Sequence, residues 1–236
     1  MKAMIRFGAR RLAGLALCLG GAAAAWAGSV SIPGMGGNVS VPVASLPEVR
    51  WQTVIHQEYD FSCGSAAVAT LLTYHYEHAV SEDKVFQAMF RHGDQRKIRA
   101  EGFSMLDMKR YLDSQGLRSD GFRMSLDKLA RLGVPAIALV NTKGYRHFVV
   151  VRGIQGDRVL LADPAVGSVA ISRRTFEQIW NGIVLAARSS LQTARSHFND
   201  ERDWRGWPQA PISKGVSRTG LGMFTLTIPG RNELGR

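Results

Sequence analysis

Cysteine is almost missing from this chain: Cys18 and Cys63 are the two in 236 residues. Two thiols build no disulfide framework, so a packed core has to hold the fold. Negative charge is scarce as well, with 19 Asp and Glu against 30 Lys and Arg and a net charge of +11. The cations are scattered, often beside acids, and no nucleic-acid-binding motif accompanies them. That pattern describes a solvated basic surface and gives no reason to expect a nucleic-acid partner. Long apolar runs are absent too, which leaves no convincing bilayer span. No GxxxxGK[ST] phosphate loop is present.

What the chain does have at its start reads as an export signal. Lys2, Arg6, Arg10 and Arg11 form a positive region, and residues 12–25, LAGLALCLGGAAAA, form a short apolar one. Ala25-Trp26-Ala27 then supplies a small-x-small cleavage pattern. A signal peptide is therefore expected over residues 1–27, with the mature protein in a bacterial periplasm and its net charge reduced to +7 by the loss of those four cations. Cys18 leaves with the signal. Cys63 then remains as a lone thiol in an oxidising compartment, a liability unless its chemistry is used.

Residues 28–48 are rich in Gly, Ser, Val and Pro and read as an extended lead-in. Residues 49–188 read as one domain and 189–236 as a C-terminal extension. Within the domain, VRWQTVI (49–55) alternates like a strand, and helical spacing follows from Cys63 to about His75. Ser81 is placed to cap a second helix. Ser104 with Asp107 resembles a capping box for a third, and a short helix starts at Ser125. The second half changes to apolar runs at 134–140, 145–152, 158–162, 168–172 and 183–187, interrupted by the short helix RRTFEQIW. Helices first and antiparallel strands later define an α+β domain. Beyond it, residues 190–203 form a polar helical stretch and FTLTIP a last strand-like piece.

Cys63 sits where a helix should begin, and the unpaired N–H groups of a first helical turn stabilise a thiolate. Gly64 next to it leaves the backbone N–H open to a substrate oxygen. A thiolate nucleophile also needs an imidazole to carry the proton and a third group to orient that imidazole. Of six histidines, His75 and His78 lie at the far end of the Cys63 helix, ~18 Å away at ~1.5 Å per residue. His56 is too close in sequence to fold back, and His92 and His197 have polar surroundings. His147 lies inside an apolar strand, where a histidine is unexpected unless it faces a site. A hairpin centred on Gln155 would set Asp163 directly opposite His147, within reach of its ring, and a slip of one residue would send one of them to the other face. Gln57, six residues before Cys63, is placed to form an oxyanion hole with the Cys63 N–H. No metal or other cofactor is called for.

Three stretches, QEYDFSCGSAAVATLLTYH, GFSMLDMKRYLDSQGL and GYRHFVVVRGIQGDRVLLADPAVGSVAISRRTFEQIWNGIVL, resemble the bacteriocin-processing, double-glycine-leader cysteine peptidases. The resemblance spans roughly residues 49–187. It implies a papain-like fold, with Cys63 as nucleophile, His147 as general base and acid, Asp163 as its orienting partner and Gln57 as oxyanion donor. Many members are domains of ATP-driven exporters. Without a phosphate loop this chain looks like the stand-alone exported branch, part of which is associated with functional-amyloid and biofilm fibre secretion. The implied partner is an exported polypeptide or its leader, with secretion-system components as further partners, and the implied preference is for cleavage after glycine. Gly36-Gly37 in the lead-in is a possible self-processing site by the same logic. Two other readings stand beside this one: a cell-wall peptide hydrolase using the same chemistry, and a catalytically silent fold that docks an export substrate.

Overall fold

The computed structural model describes residues 29–32, 39–42 and 46–207. The expected signal peptide with Cys18, the Gly36-Gly37 pair and the FTLTIP segment lie outside the described residues. Within the lead-in, β1 (Ser29–Ile32) and β2 (Val39–Pro42) pair antiparallel as a hairpin of their own. That unit ends at Ala44, and a second unit begins at Ser45.

The alternating 49–55 stretch does not form a strand: Leu46–Trp51 is a helix, α1. Pro47 is tolerated in its first turn, and Glu48 and Arg50 match the helix dipole at the two ends. The long helix α2 (Cys63–His75) starts at the expected residue, and α3 (Glu82–His92) is capped by the Ser81 side chain. Next comes α4 (Gln95–Glu101), which the sequence concealed because Ile98 is its one buried residue. The capping box of α5 (Met105–Ser114) is formed by Ser104 and Asp107 as the sequence indicated.

Strand β3 (Ser119–Arg123), helix α6 (Leu126–Leu132) and strands β4 (Ala136–Thr142), β5 (Tyr145–Gln155), β6 (Arg158–Asp163) and β7 (Gly167–Ser172) follow. Helix α7 (Arg173–Ile179) and strand β8 (Trp180–Ala187) complete a six-stranded antiparallel sheet of order β3-β8-β4-β5-β6-β7. The expected α+β class is what the structure has. The apolar runs of the second half are nearly continuous because both sheet faces are covered. Ile137, Phe148, Val150, Ala162 and Leu185 pack with α2, α3 and α5. Their alternates Ala138, Val149, Val151, Leu161 and Val184 pack with Leu126, Leu129 and Phe176 of α6 and α7.

The polar stretch after residue 188 is two short helices, α8 (Leu191–Ser196) and α9 (Glu201–Trp204), broken at Asn199, whose φ is +60°. Ala194 and Trp204 are buried, so this strap continues the packed body as far as Trp207. Among the described residues no helix is long and apolar enough to cross a membrane.

His75, at the end of α2, is fully buried, and neither ring nitrogen makes a well-formed hydrogen bond. Burial, reinforced by the charge of Arg152, holds its pKa well below the usual 6.5. As pH falls below about 6.5 the unfolded chain takes up a proton that the folded ring refuses. Each further unit then costs ~1.4 kcal/mol of stability until the folded ring itself titrates. Urea unfolding of His75→Leu is expected to match wild type within about 1.5 kcal/mol at pH 8 and to exceed it at pH 5. Parallel pH profiles for the two proteins would show that His75 carries no such penalty.

Candidate active site

Cys63 is the first residue of α2, buried and unpaired. Ser62 occupies the N-cap position, yet its side chain makes no cap hydrogen bond. Its Oγ instead closes a turn with Tyr59, accepting that residue's N–H at 3.1 Å and donating to its carbonyl at 3.0 Å. The first-turn N–H groups of α2 therefore have no side-chain acceptor, the arrangement that favours negative charge on an adjacent atom. Gly64 has a packing role as well: a Cβ there would stand 3.0 Å from Phe103 Cβ, so glycine lets Phe103 pack close against α2. Below the same turn Ser65 Oγ lies 2.6 Å from Glu82 Oε1, tying the start of α3 to the start of α2. Burial raises the pKa of Glu82 above the usual range.

His147 Nε2 lies 2.7 Å from Asp163 Oδ1, and His147 is 6% exposed. The sequence anticipated this pair, but by a different register. The turn is the two residues Gly156 and Asp157, because Gln155 pairs with Arg158. That register, continued unchanged, would put Asp163 and His147 on opposite faces. A one-residue bulge at Arg152 restores the parity: beyond it Val151 faces Leu161 and Val150 faces Ala162. One further step sets Asp163 across from Val149, so Asp163 reaches His147 diagonally instead of directly. The N–H of Ala165 donates to the same Asp163 Oδ1 at 2.8 Å, which fixes the carboxylate.

Burial alone would lower the His147 pKa. Its hydrogen bond to Asp163 and the neighbouring Cys63 thiol outweigh burial and raise it to about 9. With Nε2 held by Asp163, the interaction with Cys63 falls to Nδ1, which is otherwise buried without a hydrogen-bond partner. Gln57 joins the group through its backbone: its N–H donates to Pro164 O at 3.1 Å, beside Asp163. Its Nε2 donates to Tyr59 O at 3.0 Å and only weakly to Asp60 O at 3.5 Å, which leaves one amide hydrogen loosely held. The structure thus brings Cys63, His147, Asp163 and Gln57 to one place. It leaves His75 and His78 at the far end of α2. Among the described residues, no three His, Cys, Asp or Glu side chains gather in a metal-holding group.

One neighbour escaped the sequence reading. Tyr145, 54% exposed, stacks on His147 with ring centroids 5.7 Å apart and reaches Asp60 O at 3.5 Å. It covers the imidazole from the solvent side. Its i, i+2 spacing from His147 on one strand was the available signal.

A buried thiol at a helix start, facing an imidazole oriented by a carboxylate, is equipped for nucleophilic acyl transfer. Residues 51–191 match the Peptidase C39 family, and this chain belongs to it. It is 44% identical over 163 residues to the probable functional amyloid protease FapD of Pseudomonas aeruginosa, spanning 69% of this chain and 72% of that one. The corresponding Pseudomonas fluorescens protein is 42% identical over 178 residues, spanning 75% and 79%. A solved double glycine motif protease from an AMS/PCAT transporter, in complex with its leader peptide, is 30% identical with a TM-score of 0.49. That match covers 57% of this chain and 89% of that one.

A folded-state pKa of about 9 against ~6.5 unfolded means that the His147 contribution to stability is fully present below pH ~6.5 and is lost as pH rises through about 9. Unfolding free energies measured between pH 6 and pH 10 are expected to show a loss of roughly 3 kcal/mol that is clearly smaller in Asp163→Asn, where only Cys63 still raises the His147 pKa. Equal slopes in both proteins would contradict the pairing.

Proposed function

We propose that this chain is an exported cysteine endopeptidase that cleaves a secreted polypeptide after glycine, in the service of functional-amyloid fibre secretion. The observation that carries the chemistry is the 2.7 Å hydrogen bond between His147 and Asp163 beside the free Cys63. Membership of the C39 family and the two FapD relatives support the substrate class. The export signal read over residues 1–27 supports a periplasmic site of action.

The steps follow from the positions of the groups. Cys63 Sγ, deprotonated by His147, attacks the scissile carbonyl carbon. The developing oxyanion is taken up by the Cys63 N–H and by Gln57 Nε2, which gives up its weak bond to Asp60 O. The imidazolium proton of His147 passes to the leaving amine as the C–N bond breaks. Water, deprotonated by the same imidazole, then adds to the thioester carbonyl; the C–S bond breaks, which releases the new carboxylate and returns the Cys63 thiolate beside the protonated imidazole. Asp163 holds the ring and offsets its positive charge throughout.

The test is a digest of peptides with internal Gly-Gly and of their Ala-substituted counterparts by the protein beginning at Gly28, read by mass spectrometry. Cleavage after Gly-Gly is expected, abolished in Cys63→Ala. Asp163→Asn should lose roughly 10²–10⁴-fold in kcat and Gln57→Ala roughly 10–10³-fold. Release of peptidoglycan fragments with no peptide cleavage would favour a cell-wall hydrolase. Secretion that remains complete with Cys63→Ala would favour a silent docking fold.

A further inference from the structure

The bulge at Arg152 is an odd feature to find in a central strand, and nothing on β5 itself accounts for it. Strand β4 begins only at Ala136, opposite Val151, so the backbone of β5 beyond Val151 has no strand partner on the β4 side. Asn199 takes those groups instead. Its N–H donates to Arg152 O at 3.0 Å, its Oδ1 accepts the Ile154 N–H at 2.7 Å, and its Nδ2 donates to Ile154 O at 3.1 Å. One residue, held in the left-handed region at φ +60° between α8 and α9, thus supplies the pairing that an adjoining strand would have given.

The bulged side chain is fixed from the same strap. Arg152 is 1% exposed, and its guanidinium forms an ion pair with Asp203. It also donates to Thr53 Oγ1 at 2.8 Å and to Thr53 O at 3.2 Å, on the segment that leads to Gln57. Gly153 completes the fit: a Cβ there would lie 2.7 Å from Asn199 Oδ1 and 3.1 Å from Trp204 Nε1. A buried cation deprived of its acid is costly, so Asp203 selects the backbone geometry that brings Arg152 to it.

We propose that the strap of residues 197–204, through Asn199 and Asp203, acts as a register lock: it holds the extra residue in β5 and thereby keeps His147 and Asp163 on one side of the sheet. Asn199 and Asp203 are positioning residues, distant from the reacting atoms and acting through the backbone of β5. The inference rests on the chemistry proposed for His147 and Asp163, and its test separates the two.

The experiment follows the imidazole resonances of His147 against pH in the protein beginning at Gly28, in wild type, Asn199→Ala and Asp203→Asn. A Leu129→Ala variant, which damages the second core without touching the strap, serves as the stability control, with Tm measured for all. Release of the lock is expected to lower the His147 titration midpoint from about 9 by one unit or more. In the same variants kcat should fall about 100-fold with KM nearly constant, whereas Leu129→Ala lowers Tm and leaves the midpoint unmoved. If Asn199→Ala does not fold, Asp203→Asn decides by the same reading, since it keeps an acceptor for Arg152 and removes only the charge. A midpoint unchanged in a folded strap variant, whatever its Tm, overturns the register lock. A wild-type midpoint near the ordinary value contradicts the His147–Asp163 pair itself, a failure separate from that of the strap.

Discussion

The hydrogen bond between His147 and Asp163 depends on a count of residues between two strands. Side chains alternate across a sheet with a period of two, so one residue more or fewer between the turn and the histidine would turn the carboxylate away from the ring. The two-residue turn at Gly156 and Asp157 and the bulge at Arg152 are each off by one, and together they restore the parity. The orientation of the imidazole and the proton it carries follow from that compensation.

The remainder of the body keeps these groups still. Helix α2 buries almost its whole length against α3, α5 and the sheet, which fixes Cys63 at its first turn. The segment from Thr53 to Ser62 is tied at intervals: the Ile55 N–H to Thr70 Oγ1, the Gln57 N–H to Pro164 O, and Ser62 to Tyr59. Gln57 is thereby carried to the same corner as Asp163. The strap after β8 closes the opposite end, with Arg158 donating to Trp207 O at 2.9 Å and lying over the Trp204 ring. Family membership extends to residue 191, whereas the packed body extends to Trp207.

Much of this was legible in the sequence because the signals were local. Ser81, Ser104 and Ser125 each accept the N3 backbone N–H of their helices, and the apolar runs mark a sheet buried on both faces. Cys63, His147, Asp163 and Gln57 could be picked out by residue type and spacing. What failed was set by distant contacts or hidden by composition. Residues 46–51 become helical while Val49 packs against Gly206, far along the chain. Helix α4 was missed for want of an apolar stripe. The bulge was invisible because Asn199 and Asp203, which hold it, lie about fifty residues away in a stretch that reads only as polar. The sequence-derived hairpin reached the right pair of residues through the wrong turn, and the bulge explains why the face was still correct.

The most direct measurement is the rate of Cys63 alkylation against pH in the protein beginning at Gly28, with His147→Ala beside it. A thiolate held by an imidazolium predicts fast alkylation that persists down to about pH 5–6 and is lost in His147→Ala. A rate that falls about tenfold per pH unit below ~8.5, as for an ordinary thiol, and that is the same in both proteins would contradict the pairing of Cys63 with His147.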